Sequence, residues 1–258
     1  MRVISANLNG IRAAARKGFF EWMLEQDADF VCVQETKAQM AVLEGDIFRP
    51  AGYTVAFSDA EKKGYSGVGI YAKKKPQKII SSFGWPDADK EGRFVQFDYP
   101  ELSVVSIYFP SGSSGDVRQA VKYEFMEQYL KQLKQLIKQS RSVIICGDWN
   151  IVHKEIDIKN FKSNQRSSGC LPQERAWLDD LMVEIGWVDA FRVINQEPHQ
   201  YTWWSNRGQA WANNVGWRID YQMVTPELKS RVREASIYKD QRFSDHAPLI
   251  IDYRLPIE

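Results

Sequence analysis

The sequence predicts an α/β fold in which two β-sheets are layered together and helices cover them from outside. Three observations carry this expectation. Short apolar runs of strand length recur along the chain, three segments show helical periodicity, and no low-complexity linker divides the 258 residues. One domain over residues 1–258 is expected.

The strand candidates are Arg2–Ala6, Phe30–Val33, Tyr53–Phe57, Val68–Ala72, Lys78–Phe83, Phe94–Tyr99, Leu102–Tyr108, Val143–Cys146, Ile219–Val224, Glu234–Tyr238 and Pro248–Tyr253. Many are rich in Val, Ile, Tyr and Phe, which suit a pleated, half-buried surface. Gly18 to Gln26 places Phe19, Phe20, Met23 and Leu24 on one helical face. Val117 to Gln139 places Met126, Tyr129, Leu130, Leu133, Leu136 and Ile137 at helical spacing, with its Lys and Gln residues on the other face. Pro172 opens a third helix with the stripe Trp177, Leu178, Leu181, Met182 and Ile185, and Gly186 stands where a C-terminal cap belongs. Packed sheets covered by helices bury all of these stripes together. Ser111–Gly115 is one loop. The stretch from His153 to Leu171 lacks periodicity and reads as a functional or flexible loop.

Composition narrows the class. Hydrophobic residues make up 44% and charged residues 26%, an ordinary balance for a globular protein whose core needs no staples. The net charge of +1 excludes a polybasic binder and leaves only local basic patches. The three cysteines, Cys32, Cys146 and Cys170, form no C-x-x-C pair, and this sparse, odd count suits a reducing compartment. Met1-Arg2 leads straight into a strand without a signal segment, so a cytoplasmic protein with no membrane contact is expected, nucleoid-associated if bacterial.

Polar and acidic residues cluster where apolar runs stop. Asn7 and Asn9 follow the first strand, Glu35 the second, and Asp148 and Asn150 follow Val143–Gly147, while Asp245 and His246 precede Leu249–Ile251. Alone, each reads as a turn residue. Together they suit one edge of a layered fold, where strand ends converge. Asp220 in another strand-like run is a partner for His246, since a carboxylate fixes an imidazole's tautomer and favours its charged form. His153 and His199 lack such context and are expected at the surface. There is no Gly-Lys phosphate loop, no H-E-x-x-H, no paired Cys ligands and no G-x-S-x-G elbow. Oxygen donors dominate, which selects Mg²⁺ or Mn²⁺ over softer metals.

The segments Asn7-Leu8-Asn9-Gly10-Ile11-Arg12, Gln34-Glu35-Thr36-Lys37, Tyr108-Phe109-Pro110, Gly147-Asp148-Trp149-Asn150, Pro172-Gln173-Glu174-Arg175, Gly216-Trp217-Arg218-Ile219-Asp220-Tyr221 and Ser244-Asp245-His246 occur in this order. In order and spacing the chain resembles, over its whole length, the exonuclease III family of class II apurinic/apyrimidinic endonucleases, a branch of the endonuclease/exonuclease/phosphatase superfamily. The resemblance implies a four-layered α/β sandwich of two packed mixed β-sheets flanked by helices. It implies a monomeric, metal-dependent DNA-repair phosphodiesterase that cuts double-stranded DNA 5′ to abasic sites. Blocked 3′ ends are further substrates, and the alternative within the family is a mainly 3′-5′ exonuclease or 3′-end processing enzyme.

The implied roles fall on residues of this sequence. Glu35 is the principal metal ligand with Asn7 beside it, and Asn9 contacts that shell. Asp148, held by Asn150, orients or deprotonates the attacking water. His246, paired with Asp220, binds phosphate, Tyr108 contacts phosphate or aids the leaving group, and Asp245 supports a second metal position or His246. Trp203, Trp217 and Ile219 match an apolar pocket for a flipped-out sugar that lacks its base; the alternative for the two Trp is plain core. Arg12, Arg16, Lys62, Lys63 and Arg166 are candidates to grip phosphates. Ser111 departs from the Asn or Gln of some relatives. Ser167 is small at a position where bulk would narrow access, which favours internal abasic sites over strand ends. A phosphatase or lipid phosphodiesterase of the same superfamily would lack a need for the apolar pocket, and a DNA-binding module that had lost catalysis would not need the intact acidic set.

Overall fold

The computed structural model describes residues 1–256. Its strands are β1 (Arg2–Asn7), β2 (Phe30–Gln34), β3 (Thr54–Ser58), β4 (Val68–Ala72), β5 (Lys78–Ile80), β6 (Phe94–Asp98), β7 (Leu102–Tyr108), β8 (Ser142–Asp148), β9 (Val188–Asp189), β10 (Trp203–Trp204), β11 (Gly216–Trp217), β12 (Asp220–Val224), β13 (Val232–Ile237) and β14 (Leu249–Tyr253). Its α-helices are α1 (Ile11–Arg16), α2 (Phe19–Glu25), α3 (Met40–Leu43), α4 (Pro86–Lys90), α5 (Asp116–Leu136), α6 (Phe161–Asn164), α7 (Pro172–Asp179) and α8 (Ala190–Ile194).

Two six-stranded mixed sheets face each other, with orders β13-β14-β1-β2-β4-β3 and β5-β6-β7-β8-β12-β9. The period-2 alternation of a strand decides what fills each layer. Val3, Phe30, Cys32, Val68 and Ile70 of the first sheet meet Val95, Phe97, Val104, Ile144, Cys146 and Val224 of the second. The alternate residues Ile4, Val31, Val33 and Tyr71 turn outward against Phe19, Phe20, Trp22 and Met23 of α2. On the far side Val105, Ile107, Ile145 and Met223 pack under Phe125, Met126, Tyr129 and Leu133 of α5 and Leu178 of α7. Central strands buried on both faces therefore read as continuous apolar runs. Each large side chain so buried contributes about 1.5–3 kcal/mol. This is the expected sandwich of helix, sheet, sheet and helix.

Several expectations need correction. The fifth run stops at Ile80, because Phe83 leaves the sheet to stack on Phe125 at 5.0 Å. Lys122 is not on the solvated face of α5: it is 0% exposed, on the stripe that Phe125, Met126 and Tyr129 continue. His153 is not a surface residue either. Its Nε2 lies 2.8 Å from Asp179 Oδ1 with the side chain 13% exposed, and burial lowers its pKa. The helix opened by Pro172 widens into a π-type turn over Asp180–Ile185 before Gly186, at φ 99°, ends it. The segment from His153 to Leu171 is pinned, through Val152 N–H to Gly169 O, Lys159 N–H to Gly216 O and Arg218 N–H to Asp157 O. Five short helices (α1, α3, α4, α6 and α8) and the two-residue strands β9 to β11 were not expected, since elements of two to six residues carry no period. Among the described residues no helix is long and apolar enough to cross a membrane.

Candidate active site

Strand polarity brings the polar residues together. β1 and β2 run parallel, so Asn7 pairs with Gln34 at their C-terminal ends and Glu35 follows directly. β7 and β8 are also parallel, and Tyr108 pairs with Asp148 at theirs. β12 runs antiparallel to β8, so its first residue, Asp220, stands opposite Asp148. His246 precedes the antiparallel β14 and bridges Trp203. Asn7, Glu35, Tyr108, Asp148, Asp220 and His246 therefore lie at one edge of the sandwich.

The turns beyond that edge are held in unusual conformations. Asn9, Glu35, Lys37 and Asn150 have φ of 44°, 50°, 49° and 52°. Such left-handed backbone costs on the order of 1–3 kcal/mol per non-glycine residue and persists only where surrounding bonds enforce it. Those bonds run from Gly10 N–H to Glu35 O, Lys37 N–H to Ser66 O, Phe109 N–H to Asp148 O and Trp149 N–H to Ile219 O.

Asn7 links the two sheets by donating its Nδ2 to Glu35 Oε1 at 2.9 Å and to Asp148 Oδ2 at 2.8 Å. Its Oδ1 is taken by the Asn9 N–H at 2.9 Å. Asp148 also accepts the Asn150 N–H at 2.8 Å. Burial pushes the Asp148 carboxyl up to about 8, with the negative charges of Asp220 and Glu35 adding to it and His246 opposing. His246 Nδ1 stands 2.9 Å from Asp220 Oδ2, and its Nε2 stands 3.8 Å from Asp148 Oδ2. Burial alone would lower the imidazole, but the charge and hydrogen bond of Asp220, then Asp148 and Asp245, hold it up at about 10. Both ring nitrogens then carry protons, and Nε2 offers one to the cleft. Burial, then Glu35 and Asp148, raises Tyr108 well above its ordinary pKa, so its hydroxyl remains a donor.

The centre suits a hard divalent cation. Glu35 and Asp148 each present a carboxylate oxygen within 4.8 Å of one another and of a His246 ring nitrogen, which in its protonated state would stand beside the ion as a donor and not as a ligand. Asp220 Oδ1 is buried without a partner, a sign of surplus negative charge beside this group. Carboxylate oxygens in such a setting favour a small oxygen-seeking ion.

A cleft of about 630 Å³ opens over these groups, lined by Asn9, Glu35, Tyr108, Ser111, Asp148, Asn150, Ser167, Trp203, Trp217, Ile219, Asp245 and His246 among others. Trp203 and Trp217 meet edge to face at 5.8 Å and are half-buried over Ile219, Ile158 and Val152, so they form a wall and not an interior core. Asp245 stands beside the acidic group with both oxygens occupied, by Asn9 Nδ2 at 2.8 Å and Trp203 Nε1 at 3.1 Å. Arg12, Arg16, Lys62, Lys63 and Arg166 are exposed and outside the cleft lining. A second open groove of about 710 Å³ over Glu155–Ser163 carries none of these groups.

Sequence reasoning missed four supports. Lys37 Nζ reaches Glu35 Oε2 at 2.8 Å and Asn9 Oδ1 at 2.5 Å. Thr202 Oγ1 accepts the N–H groups of Ile219 and Asp220. The buried Arg93 lies 4.8 Å over the Tyr108 ring and donates to Tyr108 O. Lys122 and Glu174 form a buried pair behind Asn150. Lys37 and Glu174 stand in the quoted segments and Lys122 is a cation at a stripe position, but the contacts of Thr202, Arg93 and the Lys122–Glu174 pair join residues at least 15 positions apart.

Comparison with known proteins agrees with this geometry. The model of the Endonuclease/Exonuclease/phosphatase family matches residues 4–246. An exodeoxyribonuclease of Bacillus subtilis (strain 168) is 38% identical over 251 residues, covering 96% of this chain and 98% of the relative. The DNA repair nuclease APEX1 of Danio rerio is 32% identical over 254 residues, covering 97% of this chain and 81% of the relative. The crystal structure of the AP endonuclease LMAP from Leishmania major superposes with a TM-score of 0.87 at 27% identity, covering 99% of this chain and 88% of that one. A strand-edge acidic centre, a shared sandwich and near full-length similarity converge: the chain belongs to the Endonuclease/Exonuclease/phosphatase family, on the branch of its exodeoxyribonuclease and DNA-repair nuclease relatives.

Proposed function

We propose that the chain hydrolyses the backbone of duplex DNA 5′ to an abasic site, as a monomer and with Mg²⁺ or Mn²⁺, and that trimming of blocked 3′ ends is a secondary activity. The observation that carries this reading is the apolar wall of Trp203, Trp217 and Ile219 inside the same cleft as Asp148 and His246. A phosphatase of the family would have no use for it, whereas a sugar that has lost its base fits an apolar recess and costs little to extrude.

Glu35 holds the cation, with Asn7 fixing its carboxylate. When bound, that ion supplies positive charge next to the reacting phosphate. Asp148 takes a proton from a water aligned with phosphorus, and the Asn150 N–H and Asn7 amide hold it in place. Water oxygen bonds to phosphorus while the P–O3′ bond breaks, and the departing O3′ takes a proton from solvent water, to which Asp148 later returns its own, leaving a 3′-hydroxyl and a 5′-phosphate. The Nε2–H of His246 and the Tyr108 hydroxyl meet charge developing on the phosphoryl oxygens, and Asp220 keeps the imidazole protonated. Asp245, through Asn9 and Trp203, sets the wall beside His246. Arg12 and Arg166 grip phosphates beyond the cleft.

A defined abasic duplex, incubated with and without Mg²⁺, tests the reading. Incision 5′ to the lesion, lost on chelation, is expected; hydrolysis of a lipid headgroup substrate without incision would sink it. Ser167→His should lower abasic incision roughly tenfold by narrowing the cleft, an effect comparable with a lost packing contact. Full incision by that variant would remove Ser167 from the account and favour the 3′-end reading.

A further inference from the structure

We infer that the Lys122–Glu174 pair is a positioning clamp that ties the turn of Asp148 and Asn150 to the adjoining wall of Ser167, Ser168 and Gly169 and so fixes where that wall stands in the cleft offered to the DNA strand. The activity part of this inference rests on the proposed nuclease function.

Both side chains are 0% exposed, and Lys122 Nζ lies 2.5 Å from Glu174 Oε1. Lys122 also donates to Asn150 O at 2.7 Å. Glu174 Oε2 accepts the N–H of Gly169 at 2.6 Å and of Leu171 at 3.1 Å, and Oε1 accepts Gln119 Nε2 at 3.0 Å. Two side chains thus join three stretches: α5, the turn that follows Asp148, and the wall of Ser167, Ser168 and Gly169. The Ser111–Ser113 loop packs on the same unit, since a Cβ at Gly112 would stand 1.9 Å from Gln119 Oε1 and 2.5 Å from Ser168 Oγ.

Capping of α7 explains only the bond from Leu171 N–H to Glu174. It does not require a buried lysine, nor a lysine whose second bond goes to the carbonyl of Asn150. Stability does not require the pair either, because desolvation offsets most of the attraction between two buried charges. Together with the bond from Val152 N–H to Gly169 O, the pair fixes the distance between the proton acceptor and the wall beside it. In-line attack is sensitive to that distance, a displacement of about 1 Å costing on the order of 10²-fold in rate.

Two variants test the clamp. Glu174→Asp keeps both charges but withdraws the carboxylate from the wall. It should lower kcat on an abasic duplex about 10- to 100-fold and raise KM. In metal-free protein it should speed hydrogen exchange at Gly169 and Leu171. Lys122→Met with Glu174→Gln removes both charges and restores the balance of the interior. That double variant should recover the parental Tm and still have a depressed kcat, because the donor to Asn150 O is gone. Parental kcat, KM and exchange in Glu174→Asp, or parental kcat in the folded double variant, would overturn the inference. If the double variant does not fold, Glu174→Asp alone decides. A parent that does not incise abasic DNA would bring down the proposed function, and the exchange measurement would still decide the clamp.

Discussion

Two buried charged clusters of this protein differ in how well their charges cancel. At one, Arg218 Nε lies 2.8 Å from Asp157 Oδ1, its NH2 lies 2.7 Å from Asp189, and Arg192 closes on Asp157 at 2.6 Å. The guanidinium also lies over the rings of Phe191 and Tyr221. Two cations meet two anions, hydrogen-bonded at Asp157 and paired by charge alone at Asp189, whose Oδ2 makes no hydrogen bond. Burial alone would raise Asp157, yet Arg218 and Arg192 bring it down to about 2. At the cleft, Glu35, Asp148 and Asp220 crowd around one imidazole, and of these three carboxylates Lys37 pairs with Glu35. There the carboxyl of Asp148 moves the other way. Asp148 and Asp157 are equally buried, so compensation makes the difference between them. A balanced cluster locks structure, and an unbalanced one keeps groups ready to exchange protons or bind a cation.

Breaking the balanced cluster should show the largest effect. Asp157→Ala leaves Arg218 buried beside one remaining carboxylate and should cost about 3–5 kcal/mol in urea unfolding. A loss below 1 kcal/mol would put this cluster in the same class as an exposed ion pair. The unbalanced cluster should respond in reverse. Glu35→Ala, Asp148→Asn and His246→Ala should each lower incision by at least about 10²–10³-fold, equivalent to roughly 2.7–4 kcal/mol of transition-state stabilisation. For Asp148→Asn the Tm should hold or rise, because one of several crowded carboxylates is neutralised. A Tm that falls as far as in Asp157→Ala would erase the contrast.

A divalent cation should distinguish the clusters at intermediate size. Mg²⁺ at a hundredfold excess over its Kd should stabilise the parent by about 2.7 kcal/mol. Glu35→Ala should lose this gain in a thermal melt while Asp157→Asn keeps it. An equal gain in all three would place the ion elsewhere.

The smallest effect is a pH dependence. A depressed carboxylate contributes stability above its unfolded pKa and loses it as pH falls through the folded one. The Asp157 contribution should therefore fade between about pH 4 and pH 2, by on the order of 2 kcal/mol. The stability gap between the parent and Asp157→Asn, followed by urea unfolding, should shrink over that window. A gap independent of pH would mean that charge is not what Asp157 contributes.

Much of the fold was legible because its central strands are apolar on both faces. Val143–Cys146 and Leu102–Tyr108 announce themselves without a partner in view. The acidic centre was legible because each of its members stands at the end of such a run. Asp157 was not: its segment has no period, and its charge partners lie 35 and 61 residues away. Lys122 was misplaced because lysine on an amphipathic helix is usually solvated, and only a glutamate 52 residues later makes its burial tolerable.

By itself the sequence determined the layers, the strand ends and the donor types at each end, since these follow from local periodicity and side-chain chemistry. Only the tertiary structure decided which carboxylates are compensated and which are not. Charge balance depends on distances of a few ångströms between groups that the chain keeps far apart, and water no longer screens them once they are buried.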